Sequence, residues 1–412
     1  MTAAIRIAIL IIATAAGAAQ AEQGDRPLVA EFRQIRPAVP APAAEQRLSF
    51  RAFGTDWRLD LADNEALLEA LPDPMRRALA ARGHRFLRGT VSGKPGSWAR
   101  LNWIGGRLSG GFFDGRELYL IDRAGDLGAA GRRGTRPDDT IVFRFSDLDL
   151  ERFIDPGAIA APDARSPGTR TSGARTSDAA AGDFNRFIGH LQEIAALQGS
   201  AMMAMPVTIV TDTGFNSRYG SNTAAVVAGR LNFVDGIFTG QLGTGIVLWH
   251  HKLLADDANL VATDAGTLLE QFRQFMNGGA GRDIPFRGIA HLFSGRIFDG
   301  STVGTAFFSP DGSVLCRRSA GLGVDQDLTS GETISALVFA HEAGHNFNAR
   351  HDDNTEFCPS GTLQGIMAST INGSQQFSQC SLDVMGPTAA EASCLVESTV
   401  ADDVFSDSFE NR

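Results

Sequence analysis

The chain has 412 residues, 43% of them hydrophobic and 20% charged, an ordinary globular composition with length enough for two domains. Its net charge of −10 is concentrated late. Residues 201–412 carry 11 basic and 23 acidic side chains, which argues against nucleic acid or an anionic membrane as partner.

Arg6 is the only charge ahead of an apolar run over residues 7–16, and Ala19, Gln20 and Ala21 then fit a small-residue cleavage site. The run is too short to span a bilayer. Residues 1–21 therefore read as a secretory signal cleaved near Ala21, and the mature protein is expected to be soluble, exported to the extracellular space or periplasm, and without a membrane span. Residues 22–45 form a Pro- and Ala-rich lead-in. Leu48, Phe50 and Ala52 share one parity, as do Trp57, Leu59 and Leu61, so both runs are expected as half-buried strands. Gly-rich turns punctuate short strands over residues 89–122, while residues 60–81 are more helical. Residues 22–155 thus predict a compact β-rich domain, and nothing in it looks catalytic. Residues 156–182, rich in Pro, Gly, Ser, Thr and Ala, offer too little apolar surface to offset ordering and read as a flexible linker and processing region.

From residue 183 the pattern alternates. An amphipathic helix is expected over residues 184–197 and a buried strand over 205–212. A helix over 222–238 carries Val227, Leu231, Val234 and Phe238 at helical spacing, with Gly240 able to end it. Strands follow at 245–249 and 289–293, a helix at 265–276, and an edge strand at 302–308. Thr329, three residues before Glu332, forms a capping-box pattern for the next helix. Alternation of this kind predicts an α/β domain over residues 183–396 with a mixed, mostly parallel sheet, followed by a disordered tail over 397–412.

The chemistry lies in SALVFAHEAGHNFNARHD, residues 335–352. His341 and His345 are four apart and share one helix face, which Ile334, Leu337 and Val338 continue into the protein. His351 follows six residues later. A lone histidine of this kind reads as structural. Three neutral imidazoles at this spacing suit one Zn²⁺ with a position left for water, and Glu342 stands where it can take that water's proton. Four late cysteines, Cys316, Cys358, Cys380 and Cys394, suggest two disulfides in an exported chain, with three connectivities open.

Met367 falls sixteen residues beyond His351, in a turn-rich segment. With the three-His motif, this resembles the metzincin metalloproteases, whose Met-turn floors the zinc. Asp352 directly after His351, Cys316 in SVLCRRSAGLGVDQD, and the late FSQCS and SCL motifs resemble the reprolysin, or adamalysin, branch: snake-venom metalloproteinases and ADAM proteases. HLFSGRIFDGSTVGTAF is similar to that branch's strand beside the cleft, and FRAFGTDWRLDL with RGTVSGKPGSWARL to its propeptide, so the likeness covers most of residues 45–396.

The resemblance implies a metzincin catalytic domain behind a β-rich propeptide that acts as its inhibitor. It implies disulfides Cys316–Cys394 and Cys358–Cys380, supporting roles for Met367, Asn348 and Asp352, and peptide substrates adding to the edge strand at Val303, Gly304, Thr305 and Ala306. It also raises calcium near the C-terminus, although no loop matches a calcium motif. Two departures stand out. Asn348 occupies the family's glycine position, where the backbone is expected to be left-handed, and residues 1–315 contain no cysteine to hold the zinc in a latent form. The expectation is a secreted, monomeric zinc endopeptidase with Glu342 as general base. The competing readings are an exported zinc-containing binding or adhesion module, and a zinc hydrolase with one narrow target.

Overall fold

The computed structural model describes residues 29–37, 45–148, 159–160, 202–257, 259–310, 312–328, 331–358, 365–370 and 376–398. The expected signal, the helix at 184–197, Thr329, all but two residues of the linker and the tail from residue 399 lie outside them. Glu397 and Ser398, expected to open the disordered tail, are instead held in a strand by pairing with Met203 and Met202.

The alternating runs of the first half become one antiparallel sheet. Its strands are β1 (Arg33–Gln34), β2 (Glu45–Ala52) and β3 (Thr55–Asp63), then after helices α1 (Glu65–Glu69) and α2 (Asp73–Ala81), β4 (Arg85–Val91), β5 (Trp98–Ile104), β6 (Arg107–Phe113), β7 (Leu118–Arg123) and β8 (Thr140–Arg144). The sheet is a meander in the order β1-β8-β7-β6-β5-β4-β3-β2. β3 runs to Asp63, so the helical stretch starts later than the sequence suggested; Trp57, Leu59 and Leu61 bury one parity of that strand in a cluster with Leu101 and Phe112. Such period-two burial gives the sheet its outer core.

Within the expected linker, β9 (Ile159–Ala160) forms a short strand. The second half then supplies β10 (Met202–Thr211), α3 (Thr213–Tyr219), α4 (Thr223–Leu242), β11 (Gly245–Leu253), α5 (Ala265–Asn277), β12 (Ile289–Ser294), β13 (Gly304–Phe308), β14 (Leu322–Gln326), α6 (Glu332–Asn346), α7 (Gln379–Ala390) and β15 (Val396–Ser398). The second sheet runs β11-β10-β12-β14-β13-β9, with β15 on β10. Its central pairs β10–β11, β10–β12 and β12–β14 are parallel, and β13 is antiparallel to β14, giving the mixed α/β domain expected.

α4 continues past Gly240 and ends at Gly243, in the left-handed conformation at φ 65°. Gly240 stays helical because the Trp98 indole of the N-terminal sheet packs over it, 3.2 Å from where a Cβ would stand. α4 is buried nearly all round, as a helix sandwiched between two sheets must be. One continuous core joins Trp98, Leu120 and Phe143 of the first sheet to Phe233, Val234 and Leu337 of the second half. No helix among the described residues is long and apolar enough to cross a membrane.

Candidate metal centre

The site is built at the C-terminal end of α6, whose residues from Thr333 to Asn346 are all buried. His341 and His345, one turn apart, direct their rings the same way. After Phe347 the chain must leave the helix sharply. Asn348 does this at φ 76°, the left-handed conformation anticipated for it, and its Oδ1 accepts from Ser309 N at 3.2 Å. The turn brings the Ala349 carbonyl beneath His345, whose Nδ1 donates to it at 2.8 Å, and returns the chain so that His351 joins the pair. His341 Nδ1 donates to Ile366 O at 2.6 Å.

These two backbone carbonyls fix the ring tautomers. With the hydrogen on Nδ1, each Nε2 presents a lone pair to the site. His341 Nε2 lies 3.1 Å from His345 Nε2 and 3.3 Å from His351 Nε2, and all three ligand atoms lie within 4.8 Å of one another. Three nitrogens bound to a tetrahedral zinc at about 2.0–2.1 Å stand about 3.3–3.4 Å apart. The donor set, spacing and tautomers therefore fit zinc.

Glu342 is buried beside His341, and Gly304 of β13 lies directly against its carboxylate: a Cβ there would overlap Oε1. β13 and the motif glutamate are thus in contact because residue 304 has no side chain. Met367 is fully buried, and its Sδ occupies the space a Cβ on Gly344 would need. The sulfur packs against the helix between the two histidines, a supporting position with no proton chemistry of its own.

Asp352 ties this floor together. Its backbone N donates to Met367 O at 2.9 Å, and its carboxylate accepts from Ser381 Oγ at 2.9 Å and from Ser378 Oγ, the N-cap of α7. Burial raises its pKa, with the two serine hydrogen bonds opposing the rise. Cys316–Cys394 and Cys358–Cys380 are the two disulfides, the first closing a separation of 78 residues.

Sequence reading passed over a polar knot behind the helix. Asn346, next to His345, donates from Nδ2 to Phe307 O at 2.8 Å and Leu322 O at 3.2 Å, joining β13 and β14 to α6. Its Oδ1 meets His291 Nε2 at 3.0 Å, and His291 Nδ1 meets Asp325 Oδ2 at 2.8 Å. The available signal was a histidine inside a buried apolar strand, which requires polar partners.

The sequence placed the substrate strand at 303–306; β13 begins at Gly304, and Val303 just before it accepts from Gln326 N at 2.8 Å. On the other side of β13, Phe307 and Phe308 pair in parallel with Ile159 and Ala160 of β9. Among the polar groups of the N-terminal sheet, Asp114 pairs with Lys94 at 2.5 Å and His84 Nδ1 accepts from Gly105 N at 3.4 Å. Asp56 lies 3.9 Å from Arg51.

Residues 205–398 match the sequence pattern of the family described as Reprolysin (M12B) family zinc metalloprotease. Zinc metalloproteinase-disintegrin-like brevilysin H2a of Gloydius brevicauda is 41% identical over 96 residues, 22% of this chain and 21% of that protein. Snake venom metalloproteinase acutolysin-C of Deinagkistrodon acutus is 31% identical over 186 residues, 42% of this chain and 41% of that protein. Snake venom metalloproteinase Ac1 of the same snake is 27% identical over 160 residues, 36% of this chain and 73% of that protein. The chain thus spans about a fifth of the length of the brevilysin it matches. With the three-histidine centre and its methionine floor, residues 205–398 of this chain belong to the reprolysin, or adamalysin, family of metzincin metalloproteases.

Proposed function

We propose that the chain is an exported zinc endopeptidase made with its own inhibitory N-terminal domain. The observation that carries this is the convergence of three Nε2 atoms, those of His341 and His345 with Nδ1 tautomers held by backbone carbonyls, beside a buried glutamate. In this reading His341, His345 and His351 hold the metal. Zinc in that position supplies Lewis acidity towards water and a substrate carbonyl. Glu342 accepts the proton of the attacking water and delivers it to the leaving amine as the peptide bond breaks. The contact of Gly304 with Glu342 supports a scissile bond held next to β13, with a substrate adding to that strand through main-chain hydrogen bonds at Gly304 to Ala306. Asn346 and His291 position α6 against the same strand.

Latency without a cysteine has a candidate in β9. Ile159 and Ala160 already pair with β13 immediately beyond the proposed substrate segment, and they belong to the N-terminal side of the expected processing region, residues 156–182. The signal-like N-terminus supports export, and two relatives carry venom metalloproteinase in their names.

The test is hydrolysis of casein and of a mixed peptide library by the processed, zinc-loaded protein. Cleavage that a chelator abolishes and added zinc restores is expected. A zinc-loaded, processed protein that leaves the whole library intact would overturn the endopeptidase reading and favour a narrow hydrolase or a binding module.

A further inference from the structure

The N-terminal sheet does more than adjoin the second half; it completes it. On the face of α4 turned towards that sheet, Asp235 accepts from Arg100 Nε at 2.9 Å, and both side chains are almost wholly buried. Asn232 accepts from Asn64 Nδ2 at 2.8 Å and donates to Asn102 Oδ1 at 2.8 Å. Gly236 lies under the Trp98 ring, 2.7 Å from where a Cβ would stand. Trp98 also meets Phe233 edge-on at 6.0 Å between ring centroids.

A second contact lies at the first turn of α6. Gly331 is the N-cap position and has no side chain to offer the free N–H groups. Asp122, at the end of β7 and 211 residues before Thr333, takes that place: its Oδ2 accepts from Thr333 N at 3.4 Å and Thr333 Oγ1 at 3.2 Å. The neighbouring arginines are engaged elsewhere. Arg123 bonds Asp126 through Nε at 2.7 Å, Arg230 bonds Glu332 at 3.1 Å and also Asp327, and Arg218 bonds Asp327, as does Tyr219 at 2.9 Å. Asp122 is therefore a buried interdomain carboxyl facing two further acids, Asp126 and Glu332.

We propose that this face of α4 and the first turn of α6 form a proton-linked docking surface for the chain's own N-terminal sheet, which stays bound after the connecting segment is cut and loosens as pH rises towards neutrality. Retention follows from what separation would uncover: a shared apolar core, the Arg100–Asp235 pair and an uncapped helix end. The proton link follows from Asp122. Burial, then Asp126 and Glu332, push its pKa from 3.8 up to about 7 in the docked state. Glu332 is raised too, by burial against the opposing Arg230.

Docking therefore takes up a proton wherever the separated Asp122 is ionised and the docked one is not. That window lies between pH 3.8 and about 7. Within it, the association constant falls up to about tenfold per pH unit, and above it the dependence levels off. Asp235 does not oppose this: burial alone would raise its pKa, but Arg100 and Arg88 hold it below the ordinary range, so its contribution is lost only in stronger acid.

The experiment cuts the full chain at a specific protease site inserted between residues 161 and 182, in a Glu342→Gln background that prevents self-cleavage. Gel filtration in rising urea at pH 5, 6, 7 and 8 then reads when the fragments part. Co-migration at pH 5 is expected, with a urea requirement that falls to pH 7 and then flattens. Asp122→Asn, which keeps the acceptor oxygen and removes the charge, should abolish that fall. Should the variant not fold, the infrared carbonyl band of an un-ionised buried carboxyl at pH 6, lost by pH 8, is required of the unaltered sequence and is assigned to Asp122 by its response to fragment separation in urea. Fragments that part at pH 5 without urea overturn the docking. A pH-independent separation, an unchanged slope in Asp122→Asn, or no such infrared band overturns the proton link. Because co-migration is measured, the outcome is separate from that of the peptidase test.

Discussion

Both ends of α6 gather buried ionisable groups, and they treat them differently. At the N-terminal end Arg230, Arg218, Asp327 and Glu332 neutralise one another, and Asp122 arrives from a different sheet to satisfy the helix dipole's free donors. At the C-terminal end the histidines are held from behind by the Ile366 and Ala349 carbonyls, and their other nitrogens are turned on a single point. Internal pairing of charges makes structure, whereas lone pairs aimed together by backbone acceptors make a site that calls for a cation. The difference has an energetic side: the first end joins α6 to the N-terminal sheet, and the second depends on a ligand to be complete.

Changes that erase this contrast should have graded effects. His345→Ala removes one of three ligands and should abolish both zinc retention, read by elemental analysis after dialysis, and peptide cleavage; a variant that keeps one zinc per chain would show that the other two histidines suffice. Replacing Cys316 and Cys394 by Ser opens a loop of 78 residues around the site. The chain-entropy treatment puts the loss at up to about 4–5 kcal/mol, measurable as a lower denaturation midpoint, and an unmoved midpoint would locate the rigidity elsewhere. Asp235→Ala leaves Arg100 buried without its carboxylate and should cost about 3–5 kcal/mol by the same measurement, without changing zinc content. If zinc content fell in parallel with stability, the two ends would not be separable. Smallest is Asn348→Ala, which keeps φ 76° only with strain of about 1–2 kcal/mol and loses the Ser309 bond. Asn348→Gly should be nearly neutral, and an equal loss in both variants would assign the cost to the lost hydrogen bond.

What was legible in the sequence follows the same division. The metal end was readable because its chemistry is local: His341, Glu342 and His345 lie within one helical turn, and Asn348 and His351 follow at once. β10 and β12 were readable from apolar runs. β14 was not, because Gly323 and Asp325 depress strand character; the strand exists because it lies between β12 and β13, with Asp325 answered by His291. The end of α4 was misplaced at Gly240 because only the fold reveals Trp98 above it. The cap expected from Thr329 falls outside the described residues, and the Glu332 meant to complete it bonds Arg230 instead. No local pattern could have pointed to Asp122 as the group at that helix end.

The account stands most directly on Glu342, and the measurement is peptide cleavage by Glu342→Gln beside the unaltered protein, each with its zinc content determined. General-base removal predicts a loss of about 10²–10⁴-fold in turnover with one zinc per chain still bound in both. Cleavage by zinc-loaded Glu342→Gln at the rate of the unaltered protein would contradict it.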